Sequence, residues 1–221
     1  MPQVRRDDIG LALRGMNSKL TSDWIGALAC QQAHYGTIAH FGCANGAETL
    51  ALLAKFHPTT IFGIDRDVAD AQRINDELKD WVSETLMALE SAPPGEQAWW
   101  ETSAPWFLKE CRYPRYVQEP DIAQPQLPHQ IPTSCVELSC CSNLLYQVLE
   151  TQGEHALTSA IKEMGRVALA AGSIVADEPD NGKRQRMATY FEQAGLEIVM
   201  METVQFNPGL YSTRYFARKP H

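Results

Sequence analysis

Apolar residues recur every four positions between Asn17 and His34, at Leu20, Trp24 and Leu28, and mark one face of a helix that precedes the main fold. A short, mostly apolar run follows, Thr37-Ile38-Ala39-His40-Phe41, and it ends at Gly42 as a buried strand would. From Glu48 to His57 the composition turns helical, with Leu50, Leu53 and Ala54 available for one face and Pro58 to stop it. Thr60-Ile61-Phe62-Gly63-Ile64 is again β-branched and apolar, and it closes on Asp65. The stretch beyond carries Ala71, Ile74, Leu78 and Trp81 at spacings of three and four, the mark of a second long helix. Strand, helix, strand, helix predicts a parallel sheet.

The pattern weakens between Ser91 and Pro114, where Pro93-Pro94-Gly95 precedes Trp99, Trp100, Trp106 and Phe107, so residues 91–114 read as an insertion. Alternation resumes with a strand over Cys135 to Cys141, a helix over Glu154 to Leu169, a strand over Gly172 to Ala176 and a helix over Lys183 to Ala194. Leu196 to Gln205 and Ser212 to Ala217 then read as two strands joined by Phe206-Asn207-Pro208-Gly209-Leu210-Tyr211, a closing hairpin. With 221 residues and 44% hydrophobic content, the chain can bury the core of one α/β domain, with residues 1–35 as a helical cap.

Charge and cysteine usage narrow the function. A net charge of -8 and an isoelectric point near 5.2 argue against nucleic acid as a partner, since a grip on phosphates needs a basic face. The first ten residues lack the apolar core of a secretory signal, and no segment approaches the ~20 apolar residues of a membrane helix. The expectation is a cytoplasmic protein, monomer or homodimer, without a membrane partner. Cys30, Cys43, Cys111, Cys135, Cys140 and Cys141 show no C-x-x-C spacing, so reduced thiols and no metal site are expected. Cys140 and Cys141, adjacent on a strand, should point to opposite faces.

A strand that enters a glycine turn and leaves as a helix brings backbone N–H groups and a helix N-terminus to a ligand. Phe41-Gly42-Cys43-Ala44-Asn45-Gly46 is such a turn. Asp65 stands 23 residues after Gly42, at the end of the second strand, where a carboxylate can accept hydrogen bonds from both hydroxyls of a ribose. A nucleoside-bearing ligand follows from the pair.

From Tyr35 onward the chain resembles the class I S-adenosylmethionine-dependent methyltransferases. Gly42-Cys43-Ala44-Asn45-Gly46 is similar to the family's glycine motif, with Ala44 where glycine is usual and His40 where an acid is frequent. Ile61-Phe62-Gly63-Ile64-Asp65 resembles the motif whose acid holds the ribose, and Arg66 would flank the adenine. Asp121-Ile122 is similar to the pair that binds the adenine amino group and ring. Val136 to Tyr146 resembles the fourth-strand motif, whose end (Cys141, Ser142, Asn143) lies beside the transferable methyl group. Gly165 to Val175 resembles the helix-to-strand step, with Ala170 and Ala171 replacing proline and glycine.

The resemblance implies a Rossmann-like, doubly wound, mostly parallel seven-stranded sheet with a C-terminal antiparallel hairpin. It also implies S-adenosylmethionine as cofactor and methyl transfer to an O-, N- or S-nucleophile of a small molecule. Tyr146, just past the fourth strand, is the first candidate for the catalytic position. A phenol with an ordinary pKa of ~10 keeps its proton at neutral pH, so orientation of the acceptor suits it better than deprotonation. Gln147, Trp24, Trp106 and Tyr211 are the other substrate-binding candidates, with the 91–114 insertion as the pocket's roof and Trp99 and Trp100 within it. His34, His129 and His155 are alternative bases, and Arg14 could reach the cofactor's carboxylate.

Two rival readings remain. A nicotinamide-dependent oxidoreductase would carry G-x-G-x-x-G, and Ala44 and Ala47 stand at two of those three glycines. A non-catalytic S-adenosylmethionine-binding protein would keep the fold as an interaction platform.

Overall fold

The computed structural model describes residues 19–89, 94–103, 106–119, 121–122, 130–179 and 184–220. The elements run α1 (Lys19–Gln31), β1 (Thr37–Phe41), α2 (Ala47–Phe56), β2 (Thr60–Asp65), α3 (Ala69–Leu89), α4 (Pro94–Ser103), α5 (Trp106–Lys109) and β3 (Arg115–Gln118). They continue with β4 (Val136–Ser142), α6 (Leu144–Gln152), α7 (Glu154–Val167), β5 (Ala168–Pro179), α8 (Arg184–Gln193), β6 (Glu197–Asn207) and β7 (Leu210–Arg218). One seven-stranded sheet results, in the order β3-β2-β1-β4-β5-β7-β6. The first five strands in that order are parallel, and β7 is antiparallel to both β5 and β6. The doubly wound sheet with its terminal hairpin is therefore the observed fold.

Period-two alternation explains why both faces are covered. Ile38, Ile61, Leu138, Cys140, Val175 and Phe216 point into a core shared with Trp24, Leu28, Leu50, Leu53 and Leu78 from α1 to α3. Ala39, Phe41, Ile64, Cys141, Ala176 and Tyr215 point into the other, built on Leu145, Leu157, Ile161, Met164 and Phe191 from α6 to α8. Cys140 and Cys141 lie on opposite faces, both fully buried, and burial lifts both thiols well above the usual cysteine range. All six cysteines are free.

Three boundaries differ from the sequence reading. The strand expected over Gly172 to Ala176 starts earlier, at Ala168, because Gly172 lies against the carbonyl oxygens of Val136 and Glu137, where β4 and β5 shift register. The hairpin loop contracts to Pro208 and Gly209, with Gly209 at φ 77°. β3 was not legible in the hydrophobic pattern: it is a four-residue edge strand, Arg-Tyr-Val-Gln, exposed at both ends.

In the 91–114 insertion, Trp106, Phe107 and Leu108 do not line the cavity described below. Trp106 stacks on His57 at a centroid distance of 4.2 Å and donates its indole N–H to the Ala54 carbonyl, both at the C-terminal end of α2. Phe107 and Leu108 are buried in the same core. Residues 106–108 thus pack at the C-terminal end of α2, and Trp106 and Phe107 serve the core there.

Candidate functional site

β1 is followed by β2 on one side and neighbours β4 on the other, so the sheet order reverses between β1 and β4. Loops leaving the strand ends diverge at such a point and open a crevice. A cavity of about 670 Å³ lies there, within the usual range for small-molecule sites. It is lined by Phe41 to Asn45 after β1, Ile64 to Arg66 after β2, Glu119, Asp121 and Ile122 after β3, and Ser142 to Leu144 with Tyr146 and Gln147 after β4.

The glycine turn is wound by three successive alternations into positive φ, at Gly42 (73°), Ala44 (46°) and Gly46 (82°). Its N–H groups are occupied from within. Gly42 and Cys43 both donate to the Ile64 carbonyl, at 2.8 and 3.2 Å, and Gly46 donates to the Cys43 carbonyl at 2.7 Å. Ala44 donates to Asp65 Oδ2 at 2.8 Å, and Ala47 to Asn45 Oδ1 at 3.2 Å. The expectation that this turn would offer its N–H groups to a ligand is corrected at those five positions. What the turn presents to the cavity is close backbone and the Asp65 carboxylate beside it.

The second helix N-terminus at the cavity is closed in the same way. Asn143, at φ 56°, precedes α6 without a side-chain cap, and Glu178 from β5 takes that role. Its Oε1 and Oε2 accept the N–H groups of Leu145 and Tyr146 at 2.9 and 3.0 Å, and the Cys141 thiol donates to Oε1 at 3.7 Å. Glu178 is buried, which pushes its carboxyl up to about 7 against the pull of those hydrogen bonds. Its neighbour Asp177 is also raised by burial, with Ser212 and Arg214 as partners. Sequence reading missed Glu178, because its role needs β5 and α6 to meet across 33 residues.

The candidate residues separate cleanly. Gly42, Cys43, Ala44, Asp65, Arg66, Asp121, Ile122, Ser142, Asn143, Tyr146 and Gln147 converge on the cavity. Gly46 and Cys141 lie behind its wall: Gly46 rests on the Tyr116 hydroxyl, and Cys141 is fully buried beneath α6. Trp24 is 2% exposed and packs in the core beside His40, at a centroid distance of 6.2 Å. Tyr211 is exposed on β7, and neither it nor Trp106 is among the residues that line the cavity. His34 bonds the Phe56 carbonyl, and His155 is exposed on α7. Arg14 and His129 lie outside the described residues.

Charge is the site's second property. Glu48, Asp65, Glu119, Asp121 and Glu150 line the cavity against one guanidinium, Arg66, among the described residues. Glu48, absent from the sequence candidates, stands in the first turn of α2 and extends to the cavity wall. Its signal in the sequence was the position two residues past Gly46, where a helix favours an acid.

No family model matches the sequence, and no curated protein matches it. Solved structures do. The N-methyltransferase NodS from Bradyrhizobium japonicum, in complex with S-adenosyl-L-homocysteine, superposes with a TM-score of 0.61 at 13% identity, covering 97% of this chain and 99% of its own. The chain has the class I methyltransferase fold. An S-adenosylmethionine-dependent methyltransferase from Clostridium acetobutylicum gives 0.60 at 10% identity over 90% of this chain and 91% of the other. The cyclase SpnF gives 0.58 at 15% identity over 90% and 80%. The methyltransferase fold thus extends to an enzyme named for a different reaction, and the chemistry of this chain has to be argued from its cavity.

Proposed function

We propose that the protein binds S-adenosylmethionine in the β1–β4 crevice and transfers its methyl group to a small-molecule acceptor. The observation that carries this reading is the electrostatic character of the cavity. A dinucleotide's pyrophosphate needs free N–H groups at the glycine turn and a positive helix end. Here Gly42, Cys43, Ala44 and Gly46 have spent their N–H groups internally, and carboxylates line the walls. That donor set repels a pyrophosphate and suits a ligand with a diol, an ammonium and a sulfonium, which favours S-adenosylmethionine over NAD(P).

Asp65 is the residue for the ribose hydroxyls, with Arg66 at the adenine's edge and Asp121 and Ile122 toward its amino group and ring. Ser142, Asn143, Tyr146 and Gln147 form the wall on which the acceptor rests. When bound, the sulfonium supplies an activated methyl carbon for an in-line displacement. The protein's own contribution is to orient the acceptor and keep water out, and Tyr146, a half-buried lining residue on α6, is our candidate for orienting it through its hydroxyl. A concave site rather than an open groove supports a small acceptor. Free thiols and the lack, among the described residues, of a helix able to cross a membrane agree with a cytoplasmic enzyme.

Thermal unfolding in the presence of S-adenosylhomocysteine and, separately, NAD(H) tests the reading. Stabilisation by the former alone is expected. Stabilisation by NAD(H) alone would move the protein to the oxidoreductases.

A further inference from the structure

His40 is fully buried on β1, yet its two ring nitrogens are unequally served. Nδ1 lies 2.9 Å from Thr49 Oγ1, whereas Nε2 makes no hydrogen bond among the described residues and sits 3.4 Å from Glu48 Oε2. A lone pair on Nε2 facing a carboxylate would be repelled. The arrangement without that repulsion has the Thr49 hydroxyl donating to Nδ1 and the proton on Nε2, facing Glu48. An imidazole fixed in the core by Thr49 thus backs a carboxylate whose side chain is 28% exposed at the cavity.

Glu48 and Asp65 both line the cavity beside the glycine turn. Asp65 ends β2, while Glu48 stands on α2 against His40, whose register partner on β4 is Cys140. The Asp65 carboxylate is already tied to the N–H groups of Ala44 and Asp67. Among the described residues, Glu48 is backed by the imidazole and by the positive end of α2. A ligand with a diol at one end and an ammonium at the other needs two such acceptors in one cavity, one for each end.

We infer that Glu48 is the counter-charge for the ammonium at the amino-acid end of S-adenosylmethionine, with His40 as the positioning residue that aims it. The inference rests on the cofactor reading above.

Calorimetric titration with two ligands tests it: S-adenosylhomocysteine, and methylthioadenosine, which keeps the adenosine and thioether but lacks the amino-acid end. Glu48→Gln should weaken the first by about tenfold to a hundredfold, the loss of one charge-assisted hydrogen bond, and leave the second within about twofold. His40→Gln should lower the same ratio by a smaller factor, and Thr49→Val, which removes the hydroxyl that orients the ring, should do so too if His40→Gln fails to fold. An equal loss of both ligands in Glu48→Gln, or no loss of either, overturns the assignment. If neither ligand binds the wild-type protein, the cofactor reading fails first.

Discussion

Ala44 occupies a left-handed backbone position at φ 46°, where an L side chain costs roughly 1–2 kcal/mol relative to glycine. The turn keeps its shape because Asp65 accepts the Ala44 N–H, so alanine at this point strains the turn without unwinding it. Gly46, itself at φ 82°, has a second reason to be glycine, and Gly63 shares it. A Cβ on Gly46 would overlap the Tyr116 hydroxyl, and one on Gly63 would lie 2.6 Å from the Tyr116 ring carbons Cδ1 and Cε1. Tyr116 is half-buried, its hydroxyl end desolvated there and pushed far above the ordinary phenol range. Gly46→Ala and Gly63→Ala should each cost about 1–3 kcal/mol in urea unfolding. Tyr116→Phe should recover part of the first loss and none of the second, because only the first clash is with the hydroxyl. No recovery at Gly46 would show that the ring, not its oxygen, sets the constraint there. Trp24 also separates packing from binding: Trp24→Ala should destabilise by about 3–5 kcal/mol while leaving S-adenosylhomocysteine affinity within about twofold after correction for the unfolded fraction.

Helix α6 carries the wall of the site, and its N-terminus depends on one buried carboxyl from β5. Glu178 is raised to about 7, so the folded protein holds this proton more tightly than the unfolded chain does. Its contribution to stability is then greatest below the ordinary glutamate range and is lost as the pH rises through about 7. The difference is on the order of 3 kcal/mol across that window. Glu178→Gln should flatten the dependence of unfolding free energy on pH between about 4.5 and 7, read from denaturant midpoints. A profile as steep as the wild type's would assign the dependence to other groups, Asp177 first. The elements around this capping were unequally legible. Long periodic helices such as α3, and strands buried on both faces such as β1 and β4, announce themselves through spacing and composition. β3 and α6 do not: one is a short edge strand with polar ends, and the other derives its start from a residue on a distant strand.

For the molecule as a whole, the sheet order brings the ends of β1, β2, β3 and β4 to one crevice, and most of the cofactor candidates meet there because each motif follows a strand. The substrate candidates fared differently. Tyr146 and Gln147 follow β4 and reach the cavity, whereas Trp24 and Trp106 were chosen for aromatic character, which a core uses as readily as a pocket. Glu48 was hidden because its meaning depends on a contact with His40, which no spacing along the chain displays. The central claim is that this crevice is an S-adenosylmethionine site with Asp65 on the ribose. Calorimetric titration of S-adenosylhomocysteine into the wild-type protein and into Asp65→Ala tests it most directly. One-to-one binding is expected in the first, and a loss of about 1.5–3 kcal/mol for each charged hydrogen bond removed in the second, before compensation. Unchanged affinity in Asp65→Ala, or no binding to the folded wild-type protein, would contradict the account.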